Sequence, residues 1–436
     1  MTKVNIALCG FGTVGKGVFD ILTKNKDIIF KKSGIEFNVA KILVKNKDKH
    51  KDKLSKNIFT DNYQEIITDP NIQVVVELIG GNTLANELVI ESLKNGKSVV
   101  TANKAILAKN AKKIIKNAKK NNVDIFFEAS VAGGIPIIKI LKESLASNKI
   151  QSFYGILNGT SNYILTKMLD ENKEFGVVLQ EAIKRGYAEA DPSLDIEGID
   201  ACHKLSILVC LAFNTIIDYK NIYTEGINNI SLQDIKFSQE LGYTIKLLAI
   251  AKNHNGDIEA RVHPTLISKN SLLANVKDAY NAIYVEGDFI GKQFYFGKGA
   301  GRYPTASVVV SDIIEAGINI TNNCKSRRPA YSTFFEFLQD KKILKIDKII
   351  SKYYLRFNVV DRPGVLSKIS GILGKNDISI EAVIQKGRNI NNEGSVPIVM
   401  ITHEAKEKNI QKALRNIDEL DIIKDKTILI RIEENL

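Results

Sequence analysis

Cysteine is scarce in this chain: Cys9, Cys202, Cys210 and Cys324 are spread over 436 residues with no Cys-x-x-Cys pair. That spacing is too sparse for a disulfide-stapled scaffold. Long apolar runs are also missing. The longest, such as Leu205–Phe213 and Val74–Ile79, fall well short of the ~20 residues needed to cross a bilayer. Lys3 is followed by one short apolar stretch with no small-residue cleavage site, so no signal peptide is expected. Arginine-rich tracts, aromatic RNA-binding signatures and solenoid repeats are absent as well. The net charge of +12, from 61 Lys+Arg against 49 Asp+Glu, is therefore read as lysines dispersed over a solvated surface. Neither nucleic acid nor membrane is expected as a partner. With 44% hydrophobic and 25% charged residues, the chain is ordinary globular protein of two to four domains, expected in the cytoplasm.

From Val4 to about Phe127 short apolar runs alternate with helical patterns, which predicts a parallel sheet with crossover helices. Strands are expected at Val4–Cys9, Asn38–Val44, Val74–Leu78, Ser98–Thr101 and Asp124–Phe127, with helices at Gly15–Thr23 and Leu84–Asn95. Beyond Glu128 the texture becomes α+β. Helical patterns cover Ile137–Ala146, Asn162–Glu171, Glu181–Arg185, Asp200–Phe213 and Gln233–Ala251, with strands at Gln151–Asn158 and Glu259–Leu266. The Lys-rich stretch Leu338–Lys348 reads as a linker-like boundary. After it, Tyr353–Val360, Leu366–Lys375, Ser379–Gln385, Val396–Thr402, Glu407–Asn416 and Lys426–Ile432 run strand–helix–strand–strand–helix–strand, the ferredoxin-like order. The expected α/β organisation is a Rossmann-type domain over residues 1–130, completed by about 297–320, then an α+β domain over 131–296, a connection at 321–350 and a ferredoxin-like domain at 351–436.

Gly10-Phe11-Gly12-Thr13-Val14-Gly15 follows the first apolar strand and opens a helical pattern. The first glycine permits a tight turn, the second lets backbone approach a pyrophosphate, and the third allows close helix–strand packing. Free N–H groups at the helix start then face the phosphates. An Asp or Glu ending the second strand would bind the ribose 2′-hydroxyl of NAD. Here Leu43-Val44-Lys45-Asn46-Lys47 brings no carboxylate before Asp48. Lys45 therefore tilts the expectation to NADP, with NAD tolerated.

Three further segments concentrate polar residues where a core helix would not need them. Thr101-Ala102-Asn103-Lys104-Ala105 lies just past a strand of the first sheet, where ligands bind in open α/β folds. Gly155–Asn162 joins a strand to a helix through hydrogen-bonding side chains and two glycines. Gly186–Asp200 gathers five carboxylates before a helix carrying Asp200 and Lys204 four positions apart, on one face. Asp191 and Glu197 suit caps or turns.

With these motifs in place, the chain resembles homoserine dehydrogenase, the NAD(P)-linked enzyme of threonine, methionine and isoleucine biosynthesis. The stretches GFGTVGKG, DPNIQVVVELIGG, TANKAILA, EASVAGGIPI, GILNGTSNYIL, GYAEADPSLDIEGIDACHKLSIL and PTASVVVSDI carry the resemblance, in order, from Gly10 to about Ile314. It implies hydride exchange between the nicotinamide and the hydroxyl-bearing side-chain carbon of L-homoserine, with L-aspartate 4-semialdehyde as the oxidised partner. Lys204 matches the family's candidate proton donor and Lys104 a second essential lysine. A free lysine has a pKa of ~10.4, so acid–base work requires burial or a second ammonium to lower it. Glu189, Asp200, Asp195 and Gly186 match the substrate site. The cofactor contacts would be Gly10, Phe11, Gly12, Thr13, Val14, Gly15, Lys45, Asn103, Lys104 and Gly301.

The stretch Glu128–Pro136 resembles the family's monovalent-cation loop. There Glu128 and the carbonyls of Val131, Gly133 and Ile135 would hold sodium, a hard cation suited to oxygen ligands. In Phe296–Ala306, Lys298 stands where many members carry proline. Asp361-Arg362-Pro363-Gly364-Val365-Leu366 looks like the ligand turn of an ACT domain, which implies an amino-acid effector, L-threonine, or else an inert dimerisation module. A homodimer or homotetramer is expected. So is the absence of a fused aspartate kinase, since the glycine motif lies close to Met1. The alternatives are another NAD(P)-dependent amino-acid or semialdehyde dehydrogenase, and a catalytically inactive cofactor-sensing regulator.

Overall fold

The computed structural model describes residues 2–50, 58–189, 191–254, 256–324, 328–339, 341–385, 395–434 and 436. The chain divides into two compact units. The first holds Met1–Phe153, His203–Lys220 and Asn281–Lys341; the second holds Tyr154–Cys202, Asn221–Tyr280 and Lys342–Leu436.

The first unit is built on six strands: β1 (Thr2–Cys9), β2 (Ile35–Leu43), β3 (Phe59–Thr60), β4 (Val74–Glu77), β5 (Ser98–Thr101) and β6 (Ile125–Phe126). Every pairing is parallel and the order is β3-β2-β1-β4-β5-β6. This 3-2-1-4-5-6 arrangement is the doubly wound dinucleotide-binding order. Val74, Val75 and Val76 are all buried, as expected of a parallel strand covered on both faces. Helices α1 (Thr13–Lys24), α2 (Lys26–Ser33), α3 (Gln64–Ile67), α4 (Thr83–Lys94) and α5 (Lys104–Lys120) complete the crossovers. A short helix, α6 (Ile137–Lys139), runs directly into a π turn at Ile140–Ser144. The helix expected over Ile137–Ala146 is thus only partly α-helical, closing on a Leu145 N–H to Ile140 carbonyl bond of 2.9 Å.

Strand β7 (Ile150–Ile156) leads into the second unit. There follow α7 (Gly159–Glu171), α8 (Phe175–Lys184), α9 (Ser193–Ile196) and α10 (Ile199–Phe213), which passes into the first unit at His203, then in the second unit β8 (Tyr223–Thr224), α11 (Leu232–Glu240), β9 (Tyr243–His254) and β10 (Asp257–Ser268). The helical reading of Gln233–Ala251 needs correction. A capping box between Ser231 and Asp234 starts α11, but Gly242 at φ +83 stops it. Residues from Tyr243 onward instead pair antiparallel with β10 along its whole length. The apolar run Leu247–Ala251 is fully buried, and a continuous buried run carries no period to separate helix from strand.

Strands β11 (Tyr280–Gly287) and β12 (Gly291–Lys298), adjacent to each other, return the chain to the first unit, where α12 (Arg302–Thr321) packs on α1. A Cβ on Gly17 would lie 2.9 Å from both the Ala306 Cβ and the Arg302 carbonyl oxygen, so glycine permits that approach. The stretch expected as a linker-like boundary, Leu338–Lys348, contains the division between the two units, with Gln339 bridging Thr215 in the first and Ile343 bridging Ile258 in the second.

The C-terminal region comprises β13 (Ile350–Val360), α13 (Val365–Lys375), β14 (Ile380–Gln385), β15 (Ser395–Thr402), β16 (Ala405–Lys406), α14 (Glu407–Asp418) and β17 (Ile423–Glu433). Tyr353, Leu355, Phe357 and Val359 alternate inward onto Ile369, Leu373, Ile410 and Leu414, the period-two burial of a sheet faced by helices on one side. Its β17 also pairs parallel with β10, Thr265 opposite Arg431. Among the described residues no helix is long and apolar enough to cross a membrane.

Candidate functional site

At the carboxyl end of β1, Gly10 takes φ +111, and its N–H donates to the Leu43 carbonyl at 3.0 Å. A Cβ on Gly15 would sit 2.1 Å from the Gly10 carbonyl oxygen, and one on Gly10 would sit 2.6 Å from the Leu78 carbonyl oxygen. These two glycines hold the turn closed. Gly12 differs, because a Cβ there would meet nothing within 4 Å. Gly12 is also the N-cap of α1 and gives it no side-chain cap. The helix start, with Thr13 and Val14 in its first turn, therefore offers backbone N–H donors beside open space, which fits a pyrophosphate. Phe11 meets Phe19 and Phe59 edge-on. Lys45 is exposed two residues past the end of β2, at the same sheet end as the glycine turn.

Beside it, sequence reasoning missed Glu77. This residue ends β4 fully buried, and its carboxylate accepts from the N–H groups of Ile79 and Gly80 and from the Thr101 hydroxyl at 2.6 Å. Asn103 caps α5 by accepting from Ala105 and Ile106 N–H, while its own amide donates to the Gly81 carbonyl at 2.8 Å. Lys104, half-buried, is thereby fixed as the first residue of α5. The only available signal was an acid at the end of an apolar run.

In the second unit the first turn of α7 organises the acidic segment. Asn158 caps it, its oxygen accepting from Ser161 N–H, while its amide nitrogen donates to Asp195 Oδ1 at 2.7 Å and Asp200 Oδ2 at 2.8 Å. Ser161 Oγ donates to the Asp195 carbonyl at 2.8 Å. Thr160 Oγ1 donates to the Tyr187 carbonyl, and the Tyr163 and Tyr187 rings stack at 4.5 Å. Gly186, at φ +75, closes α8 and turns the chain into Tyr187 and the exposed Glu189. One helix N-terminus thus brings Asp195 and Asp200 together and holds the Tyr187 carbonyl, which lies between Gly186 and Glu189 in the chain. Two carboxylates sharing one amide nitrogen repel each other, and a bound cationic group would relieve that repulsion. Asp191 makes the expected turn, accepting from Ser193 N–H and Oγ. Lys204 lies half-buried in α10, one turn after Asp200.

Glu128 is buried, and its two oxygens accept from the N–H groups of Ile138 and Lys139, each at 2.8 Å. Burial first, and then the nearby Asp312, push its carboxyl up to about 8. Its loop packs on the glycine stretch: Gly134 N–H donates to the Lys298 carbonyl, and a Cβ on Gly133 would lie 2.3 Å from the Gly299 carbonyl oxygen. Of the residues expected to hold sodium, Glu128 spends both oxygens on backbone N–H groups and the Ile135 carbonyl accepts from Ile137 N–H at 2.8 Å, while oxygen donors of this kind suit a hard cation. Gly301, at φ +122, caps α12 without a side chain. Among the described residues no group of three or more His, Cys, Asp or Glu is placed to hold a metal ion.

Residues 10–128 match the family described as homoserine dehydrogenase, NAD binding domain; residues 136–314 match homoserine dehydrogenase; residues 353–421 match the ACT domain. A relative named homoserine dehydrogenase, from Neisseria gonorrhoeae, is 43% identical over 433 residues, covering 99% of each chain. The crystal structure of a homoserine dehydrogenase from Thiobacillus denitrificans superposes with a TM-score of 0.94 at 44% identity, covering 100% of this chain and 99% of that one. A hyperthermophilic archaeal homoserine dehydrogenase in complex with NADPH gives a TM-score of 0.61 at 29% identity, over 73% of this chain and 98% of the other. With its Rossmann-type NAD-binding domain, catalytic domain and C-terminal ACT domain, this chain belongs to the homoserine dehydrogenase family.

Proposed function

We propose that the chain interconverts L-homoserine and L-aspartate 4-semialdehyde reversibly, with NADP preferred over NAD, under feedback from L-threonine. The observation that carries this reading is the first turn of α7, where Asn158 holds Asp195 and Asp200 together. An amino-acid substrate brings an ammonium group that needs such acids, and Glu189 supplies a third. The nicotinamide of the bound cofactor supplies the hydride acceptor or donor. Lys204 takes the proton from the substrate hydroxyl in oxidation and returns it in reduction. Lys104, at the positive end of α5, steadies the developing alkoxide charge. The turn Gly10–Gly15 holds the pyrophosphate, Gly301 adds a further cofactor contact, and Lys45 faces a 2′-phosphate. Glu128 with the Val131, Gly133 and Ile135 carbonyls would hold sodium as a structural ion.

The effector reading rests on the turn Asp361–Leu366, which with Val359, Gln385 and Ile398 lines a cavity of about 320 Å³. Gly364 there has φ +87 and open space where a Cβ would point. The working assembly is a homodimer or homotetramer. A coupled assay of homoserine oxidation with each cofactor, with and without threonine, tests the proposal. Turnover with NADP exceeding that with NAD, lowered by threonine, is expected. Equal turnover of alcohols lacking the amino group would instead favour a general semialdehyde dehydrogenase.

A further inference from the structure

The acidic substrate segment is connected, in two short steps, to the last strand of the ACT region. Arg431 on β17 is 1% exposed. Its Nε and Nη2 donate to the two carboxylate oxygens of Glu407, at 2.9 and 2.6 Å, which settles the guanidinium within its own domain. The remaining nitrogen, Nη1, reaches out to Glu225 Oε2 at 3.0 Å. Tyr223 completes the contact: its hydroxyl donates to the same Glu225 oxygen at 2.9 Å, and its ring lies 4.9 Å from the guanidinium carbon. A planar, three-sided donor of this kind cannot move toward one acid without leaving the other.

The backbone around Glu225 is in turn interlocked with the segment bearing Asp195 and Asp200. Glu225 N–H is fixed to the Val262 carbonyl at 2.8 Å, and Ile227 N–H donates to the Ile196 carbonyl at 2.8 Å. Gly226 lies flat on that segment, since a Cβ there would stand 2.2 Å from the Ile196 carbonyl oxygen and 2.5 Å from the Glu197 Cα. Gly198, at φ +81, sits against the Glu225 carbonyl from the other side. Ile196 and Gly198 lie between Asp195 and Asp200, the two acids bridged by Asn158. The Arg431–Glu225 pair is thus joined to the Asp195–Asp200 segment through backbone contacts at Ile196, Glu197 and Gly198.

We infer that Glu225, held by Arg431, is a positioning residue that sets the spacing of Asp195 and Asp200 for the substrate ammonium, so that the ACT domain acts on substrate affinity through its final strand. This inference rests on the reading that those two carboxylates bind substrate. Glu225→Gln keeps the shape and leaves the Arg431–Glu407 pair intact. In the full-length enzyme it turns the charge-assisted Arg431 contact into a neutral one and should raise KM for homoserine roughly threefold to tenfold. The KM for NADP and kcat should stay within about twofold. Combined with Asp200→Asn, the two effects should be less than additive. An unchanged homoserine KM in Glu225→Gln, with Asp200→Asn raising it, would overturn the inference alone. An unchanged KM in Asp200→Asn would overturn the reading beneath it. Equal changes in both KM values and kcat for Glu225→Gln would mark a general structural defect and also refute the positioning role.

Discussion

Two sets of contacts join distant segments of chain by opposite means, glycine contacts in the first unit and charged contacts in the second. In the first, glycines let backbone meet backbone: Gly15 on Gly10, Gly17 on Arg302 and Ala306, Gly133 on Gly299. In the second, buried charge does the joining. Arg431 binds Glu407 and Glu225, Arg356 binds Asp234 at 2.6 Å, Arg261 binds Glu259 at 2.8 Å and also pairs with Glu433, and Lys246 reaches Asn162 and the Val276 carbonyl. Close backbone contact fails sterically when a side chain is added. A buried pair fails when one partner is taken away. The two regions should therefore respond to opposite kinds of mutation.

The largest effect is expected at Arg431. Arg431→Met would leave Glu407, itself 1% exposed, charged and unpaired, costing about 3–5 kcal/mol. Adding Glu407→Met should recover much of that loss in urea denaturation. A double variant no more stable than the single one would mean the pair itself holds the domain, against the account. In the first unit Gly15→Ala forces a methyl into the Gly10 carbonyl and should cost about 3 kcal/mol. Gly12→Ala meets no protein atom, so it should fold nearly as well as the parent yet raise the KM for NADP. If both variants were equally destabilised, the distinction between a closed turn and an open cradle would be lost.

Much of the first unit was legible because its chemistry is local. Glycine spacing, β-run alternation and the Asn103–Lys104 turn each sit within a few residues. The acids proposed to bind substrate could be singled out for the same reason, as Gly186–Asp200 is one continuous stretch. Glu77 and the Arg431–Glu225–Glu407 cluster were not. Their partners lie 24, 206 and 24 positions away, and no local pattern marks an arginine or glutamate as buried. The Gln233–Ala251 reading failed where a fully buried strand carries no period, although Gly242 was available as a stop signal. The boundary read at Leu338–Lys348 does contain the division between the units, at Lys341 and Lys342, although Ile343 already pairs with Ile258.

A smaller effect sharpens the comparison by pH. Lys246 is buried, and burial, reinforced by Lys277, lowers its ammonium to about 8. The unfolded chain, with its lysine at ~10.4, then holds more protons than the folded one between these values. Stability rises with pH across that window, by on the order of 2–3 kcal/mol. Lys246→Met should flatten this slope in denaturation midpoints taken from pH 8 to 10. An unaltered slope would show that the ammonium is not held neutral there.

Lys204, proposed to move the substrate proton, is tested by single-turnover oxidation of homoserine with NADP in Lys204→Ala. The expected outcome is a fall in rate of about 10²–10⁴-fold with NADP affinity unchanged. A rate within twofold of the parent enzyme would contradict it.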